Sequence, residues 1–205
     1  MKRFLATFAV LVSFAILAGC SAVPPQSVSL VPQVKAPTGN VGKGKTVALK
    51  VVDARGDKII GYRNTDGSRT APITVEGDLT KTLGQATERT LSELGFKAAP
   101  YKDGAPLSLL ITLRELNYSA QSATVTRKIS AKCVLSARVV NGPGTWEGSF
   151  PVSQEKELVT PPDENANARF INDVLSESLS MLLSDPEMVQ YLGKDYLQGK
   201  PIKGE

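Results

Sequence analysis

Histidine is absent from the 205 residues. Its absence removes Ser–His and Cys–His nucleophilic pairs, histidine general bases and histidine metal ligands together. Cysteine occurs twice, at Cys20 and Cys133, and tryptophan once, at Trp146. No apolar run reaches the about 20 residues that a spanning helix needs; the longest, Phe4 to Ala18, has 15. No acid precedes Asp53, and nowhere do Cys, Asp and Glu fall at metal-ligand spacing. No metal and no cofactor is therefore expected. The formal net charge is +4, but Lys2 and Arg3 supply two of those charges and sit before Cys20. The remainder is close to balance, which gives no case for a nucleic-acid partner.

The N-terminus has the layout of an export signal. Lys2 and Arg3 precede the apolar run, which closes on Leu17-Ala18-Gly19-Cys20. These four residues resemble the lipobox of bacterial lipoproteins, cut between Gly19 and Cys20. Residues 1–19 are then the signal peptide. The resemblance implies diacylglyceryl transfer to the Cys20 thiol and acylation of the new amino terminus, enough chains for stable membrane anchoring. Serine, not aspartate, follows at position 21, which by resemblance to the enteric sorting rule directs the protein to the periplasmic face of the outer membrane rather than the inner one. With Cys20 acylated, Cys133 has no partner within the chain. Its place among apolar residues reads as an inert core thiol.

Residues 20–45 hold Pro24, Pro25, Pro32, Pro37, Gly39, Gly42 and Gly44 and no acid. This composition reads as a lipidated cysteine followed by a flexible tether, with a reach of about 75 Å if extended. Lys35, Lys43 and Lys45 in it read as solvated, or as attracted to anionic lipid. Gly39 to Thr46 also fits the spacing G-x-x-x-x-G-K-T. A phosphate-binding loop follows a strand and opens a helix; this one follows the tether and leads into a β-rich run, so no nucleotide is expected.

Residues 46–192 carry the pattern of one domain, and 193–205 read as a flexible tail. Thr46 to Val52 is strand-like and Ile73 to Val75 suggests a short second strand. Asp78 is placed to cap a helix that Gly95 ends, with Leu79, Leu83, Ala86, Thr90, Leu91 and Leu94 as its buried stripe. Alternation of Leu107, Leu109, Ile111 and Leu113, then of Ile129 through Val139, predicts long strands. Asn141-Gly142-Pro143-Gly144 turns into a third. Asp163 opens a second helix containing Ile171, Val174, Leu175, Leu179 and Leu182, and Asp185-Pro186 a short third. The expected fold is α+β: a two-layer sandwich, mainly antiparallel, with two long amphipathic helices on one face.

The order of these pieces is similar to the YajG-like family of lipoproteins. The likeness is carried by the lipobox, Val51-Val52-Asp53-Ala54-Arg55, Ile60-Gly61-Tyr62-Arg63, Leu91-Ser92-Glu93-Leu94-Gly95-Phe96 and Leu182-Leu183-Ser184-Asp185. It implies an envelope lipoprotein and carries over no catalytic residue.

Three candidate sites follow from the residues themselves. Asp53, Arg55 and Arg63 cluster near a strand end, where two guanidinium groups could grip a carboxylate or phosphate of a muropeptide or phospholipid. The alternative is an ion pair that fixes the loop. Arg114, Lys132 and Arg138 lie on the polar strand face, either a docking surface for an envelope protein or the wet side of a sheet. The hairpin tip flanked by Tyr118, Arg127 and Lys128 is a third place to meet a partner or lipid head groups. The carboxylates from Glu155 to Glu164 sit in polar sequence with nothing to raise a pKa, so no enzyme is expected. The reading is a membrane-anchored, non-enzymatic interaction module, with an anionic-ligand-binding protein as the alternative.

Overall fold

Alternating apolar residues on three successive segments build the centre of the molecule. The computed structural model describes residues 23–64, 66–122 and 125–195; the expected signal peptide 1–19, the expected acylation site Cys20 and residues 196–205 of the expected tail lie outside them. Among the described residues, β6 (Leu107–Ser122), β7 (Arg127–Asn141) and β8 (Gly144–Leu158) form two long antiparallel ladders. Leu107, Leu109, Ile111 and Leu113 of β6 are buried on one face. The register shifts between Leu113 and Glu115, and the inward phase resumes as Leu116, Tyr118 and Ala120. A bulge adds one residue and so moves the period-two pattern by one. Ile129, Ala131, Cys133, Leu135, Ala137 and Val139 line the same face of β7.

The other edge of β6 is divided. Ser108 to Leu113 pair in parallel with β2 (Thr46–Asp53), which carries β5 (Lys97–Pro100), also parallel. Beyond the bulge, Tyr118 meets Gly61 of β3 (Ile59–Tyr62); β3 pairs antiparallel with β4 (Pro72–Val75), and β4 carries the parallel strand β1 (Gln26–Val28). The sheet is therefore mixed. The antiparallel ladders are the longer ones, but the parallel neighbours were not expected from the sequence, because β3 and β5 are only four residues each.

Three helices among the described residues complete the fold. Asp78 caps α1 (Leu79–Glu93), accepting from Thr80 N at 2.9 Å, and Gly95 follows its end at φ +82°. Asp163 caps α2 (Glu164–Ser184) through Ala166 N at 2.6 Å, and Asp185 caps α3 (Pro186–Gly193) through Met188 N at 2.7 Å. Their buried residues, Leu83 and Leu91 of α1, Phe170, Ile171 and Leu175 of α2, and Met188 and Leu192 of α3, join the inward residues of the strands in one core.

The flexible tether expected for residues 20–45 is corrected here from Gln26 onward. Val28 and Leu30 are 1% and 4% exposed, inside the core. Val31, Gln33 and Lys35 then donate their backbone N–H groups to Asn172 Oδ1, Ser176 Oγ and Ser180 Oγ, at 2.8, 3.0 and 2.9 Å. The match is metric. Two residues of extended chain advance about 6.2–6.6 Å and four residues of helix about 6.0 Å, so alternate amides meet every fourth side chain of α2. The glycine-rich loop closes the other end of the segment. Gly39 N, Gly42 N and Gly44 N donate to the carbonyls of Glu93, Leu94 and Gly95 at 3.1, 2.9 and 2.7 Å. These amides satisfy the carbonyls left open at the end of α1. Lys45 Nζ reaches Lys194 O at 2.9 Å and Asp195 Oδ1 at 2.6 Å, tying β2 to the end of α3. A low-charge Pro/Gly sequence suits an extended docked strap as well as a linker, and composition does not separate the two. The domain starts at Gln26, not Thr46.

Candidate functional site

The outward side chains of β6, β7 and β8 alternate with those of the core and carry the polar sequence. Thr112, Ser136 and Ser149 stand in one cross-strand row, with Leu110, Arg138 and Glu147 in the next but one. Arg114, at the bulge, donates from Nε to Ser136 Oγ at 3.1 Å. Arg138 Nε lies 3.4 Å from Glu147 Oε1. Between them runs a groove of about 590 Å³ lined by Leu110, Thr112, Arg114, Ser136, Arg138 and Ser149. Lys132 is on the same side but outside this groove, paired with Glu115 at 2.8 Å. So the three residues expected to share a face do share it, and Arg114 and Arg138 are brought to one groove. The side chains of Lys132 and Arg138 keep 48% and 56% of their exposure. Ion pairs at such exposure contribute about 0–1 kcal/mol, so a partner's carboxylates can replace the internal ones at little cost.

The Asp53, Arg55 and Arg63 cluster is arranged otherwise. The strand ends at Asp53, and Arg55 does not extend alongside it at two-residue spacing. Its guanidinium folds back, Nε to Asp53 Oδ1 at 2.9 Å and Nη2 to Oδ2 at 2.7 Å. The hydrogen bonds from Arg55 hold the Asp53 carboxyl below its ordinary range. The Arg55 side chain is 9% exposed, and its Nη1 is buried without a partner. Arg63 turns elsewhere: Nη1 donates to Glu164 Oε1 at 2.9 Å and to Pro24 O at 3.1 Å. Arg63 lines a recess of about 330 Å³ with Val23, Asp66, Arg127, Pro161 and Asn167, and Arg55 is not part of that lining. Each arginine thus already holds a carboxylate of its own chain.

Beneath that recess lies a polar chain that periodicity could not reveal. Tyr118 Oη donates to Asn167 Oδ1 at 2.7 Å, and Asn167 Nδ2 donates to Gln26 Oε1 at 3.2 Å. Gln26 Nε2 in turn donates to Glu164 O at 2.6 Å. Asn167 is 1% exposed. A polar residue on the buried side of α2 was the available signal, but its partner lies in the segment read as tether. Burial pushes the Tyr118 hydroxyl up to about 12 and, more than any neighbour, the Cys133 thiol up to about 12. Cys133 is fully buried, donating no reactive thiolate at neutral pH. Trp146 is partly buried against the core, 6.4 Å from Phe150 between ring centroids.

No group of three His, Cys, Asp or Glu residues able to hold a metal occurs among the described residues, and no helix there is long and apolar enough to cross a membrane. What this fold carries is an open polar sheet face and a docked N-terminal strap. Residues 32–193 match the sequence model of Lipoprotein_16, described as uncharacterised lipoprotein, and the chain belongs to that family. This agrees with the resemblance read from its motifs. A search of curated protein sequences finds no match. Among solved structures, a DUF330 protein from Xanthomonas campestris matches over 80% of this chain and 95% of its own. At 15% identity and a TM-score of 0.55, the likeness is one of fold. A minor lipoprotein from Acinetobacter baumannii aligns over 70% of this chain and 92% of its own, at 12% identity and a TM-score of 0.37.

Proposed function

We propose that the protein is acylated on Cys20, held on the periplasmic face of the outer membrane, and acts as a non-enzymatic module that docks an envelope protein on the outward side of β6–β8. The observation that carries this reading is the groove between Arg114 and Arg138. It is open, it is floored by Thr112 and Ser136, and its rims are cations whose internal partners are weak and exposed. Such a surface suits an acidic segment of a folded partner, which would exchange Glu147 for its own carboxylates. An anionic muropeptide or phospholipid at Arg55 and Arg63 is the less favoured reading, because it would have to displace Asp53 and Glu164 from two guanidinium groups held apart.

In-cell photo-crosslinking tests the proposal. Probes at Arg114, Lys132 and Arg138 in the lipidated protein are expected to give one and the same protein adduct. A probe at Lys81, on the exposed side of α1, is expected to give none. The same adducts from all four positions, or none from the sheet face, would sink the docking surface.

A further inference from the structure

We infer that the end of the domain bearing Val23, Val125 and Val159 is a membrane-contact surface, seated in the lipid head groups of the bilayer that holds Cys20; the inference rests on the proposed lipid anchor. The first observation is the length of chain left free. Pro24 O is held by Arg63 and Gln26 is in β1, so the chain joins the fold at once. Three residue steps separate Cys20 from Val23, at most about 11 Å of extended chain. The acyl chains fix Cys20 at the interface, so whatever surrounds Val23 must lie against the head groups.

The second observation is what surrounds it. The recess that Val23 lines is shared with Arg127, Pro161 and Pro162. Arg127 pairs with Leu158 at the open end of β7 and β8. Val125 and Val159 stand beside that pair, 81% and 82% exposed, the highest values among the exposed large apolar side chains, and Val23 is 42% exposed. Apolar tips rimmed by arginines suit an interface, where the valines enter the acyl boundary and the guanidinium groups stay with the phosphates. Acids at this end, Asp66, Glu157 and Glu164, keep it from being a purely basic patch, so the contact is apolar first and electrostatic second. The strap sets the orientation of everything else. Met181, an exposed apolar residue on α2, lies 17 residues beyond Glu164, about 26 Å along the helix axis.

The experiment uses the full lipidated chain with single nitroxide labels on V125C, V159C and M181C, all at exposed positions that leave the core intact. Collision with oxygen and with a water-soluble nickel chelate is measured in vesicles of phosphatidylethanolamine and phosphatidylglycerol. Intact-mass measurement of the same samples reports acylation of Cys20. The labels at 125 and 159 are expected to lose nickel collisions and gain oxygen collisions on vesicles, while the label at 181 keeps the accessibility of water. An acylated protein whose three labels all stay water-accessible would overturn the contact surface and leave the anchor standing. A protein with unmodified Cys20 would overturn the anchor, and the inference with it.

Discussion

Gly61 sits where β3 pairs with β6, with no room to spare. A Cβ built there would stand 2.0 Å from Tyr118 O and 2.8 Å from Tyr118 C, and both atoms are backbone. Gly61→Ala should therefore push β3 off β6 and cost about 2–3 kcal/mol, at the upper end for an overpacked site because a strand cannot step aside as a side chain can. A urea midpoint shifted downward at unchanged slope would show it; a midpoint equal to wild type would mean that β3 does not approach so closely. Asp53 is the second position where one residue decides a region. Replacing it with asparagine strands the Arg55 guanidinium, at 9% exposure, without its carboxylate. The expected loss at pH 7 is about 3 kcal/mol, the low end for breaking a buried pair, since Asp53 itself keeps 28% exposure. The pH dependence follows from the direction of the shift. Arg55 lowers the folded pKa of Asp53 below the ordinary 3.8, so the contribution is complete above that value and disappears as pH falls through the folded one. Urea titrations of the wild type and Asp53→Asn from about pH 5 to pH 2 should show the gap between them closing only in the acid part of that range; a gap that closes already above about pH 5 would contradict the pairing.

At the scale of elements, the caps of the three described helices and the stripes of the two longer ones were legible in the sequence. Asp78, Asp163 and Asp185 are side chains with a local job, and the apolar spacing after each is a local pattern. The phase change in β6 was not legible, because the bulge at Arg114 is defined by a partner strand far along the chain. Nor was the strap. Asn172, Ser176 and Ser180 follow helical spacing on α2, but polar residues every four positions read as solvated surface until residues 31–35 are laid over them. The three hydrogen bonds invite a direct test. Replacing Asn172, Ser176 and Ser180 together with alanine leaves amides that water can reach, so the global loss should stay near 1–2 kcal/mol, less than three full hydrogen bonds. The local effect should be larger: amide exchange at Val31, Gln33 and Lys35 should quicken while that of β7 is unchanged. Equal protection in the variant and the wild type would mean that the strap is held by Val28 and Leu30 alone.

The whole molecule turns on how one segment is counted. Counted as tether, residues 20–45 let the domain roam about 75 Å from Cys20; counted as structure, they leave three residue steps between Cys20 and Val23 and hold the β6–β8 face in a defined relation to that end. The candidate site follows the same division. Arg114, Lys132 and Arg138 could be placed together from alternation alone, whereas the separation of Arg55 from Arg63 depends on Pro24 and Glu164, which no pattern joins. The two countings give different stabilities to two soluble chains. One begins at Val23; the other begins at Thr46, where composition puts the domain boundary. The shorter chain loses Val28 and Leu30 from the core, at about 1.5–3 kcal/mol each. It also loses Gln26, which accepts from Asn167, and the amides that close the end of α1. The sum is most of the about 5–15 kcal/mol that a domain of this size has in total. The chain from Val23 should unfold in a single cooperative transition, and the chain from Thr46 should be unfolded or lack that transition. Equal urea midpoints for the two would restore the tether, and with it a domain free to turn relative to Cys20.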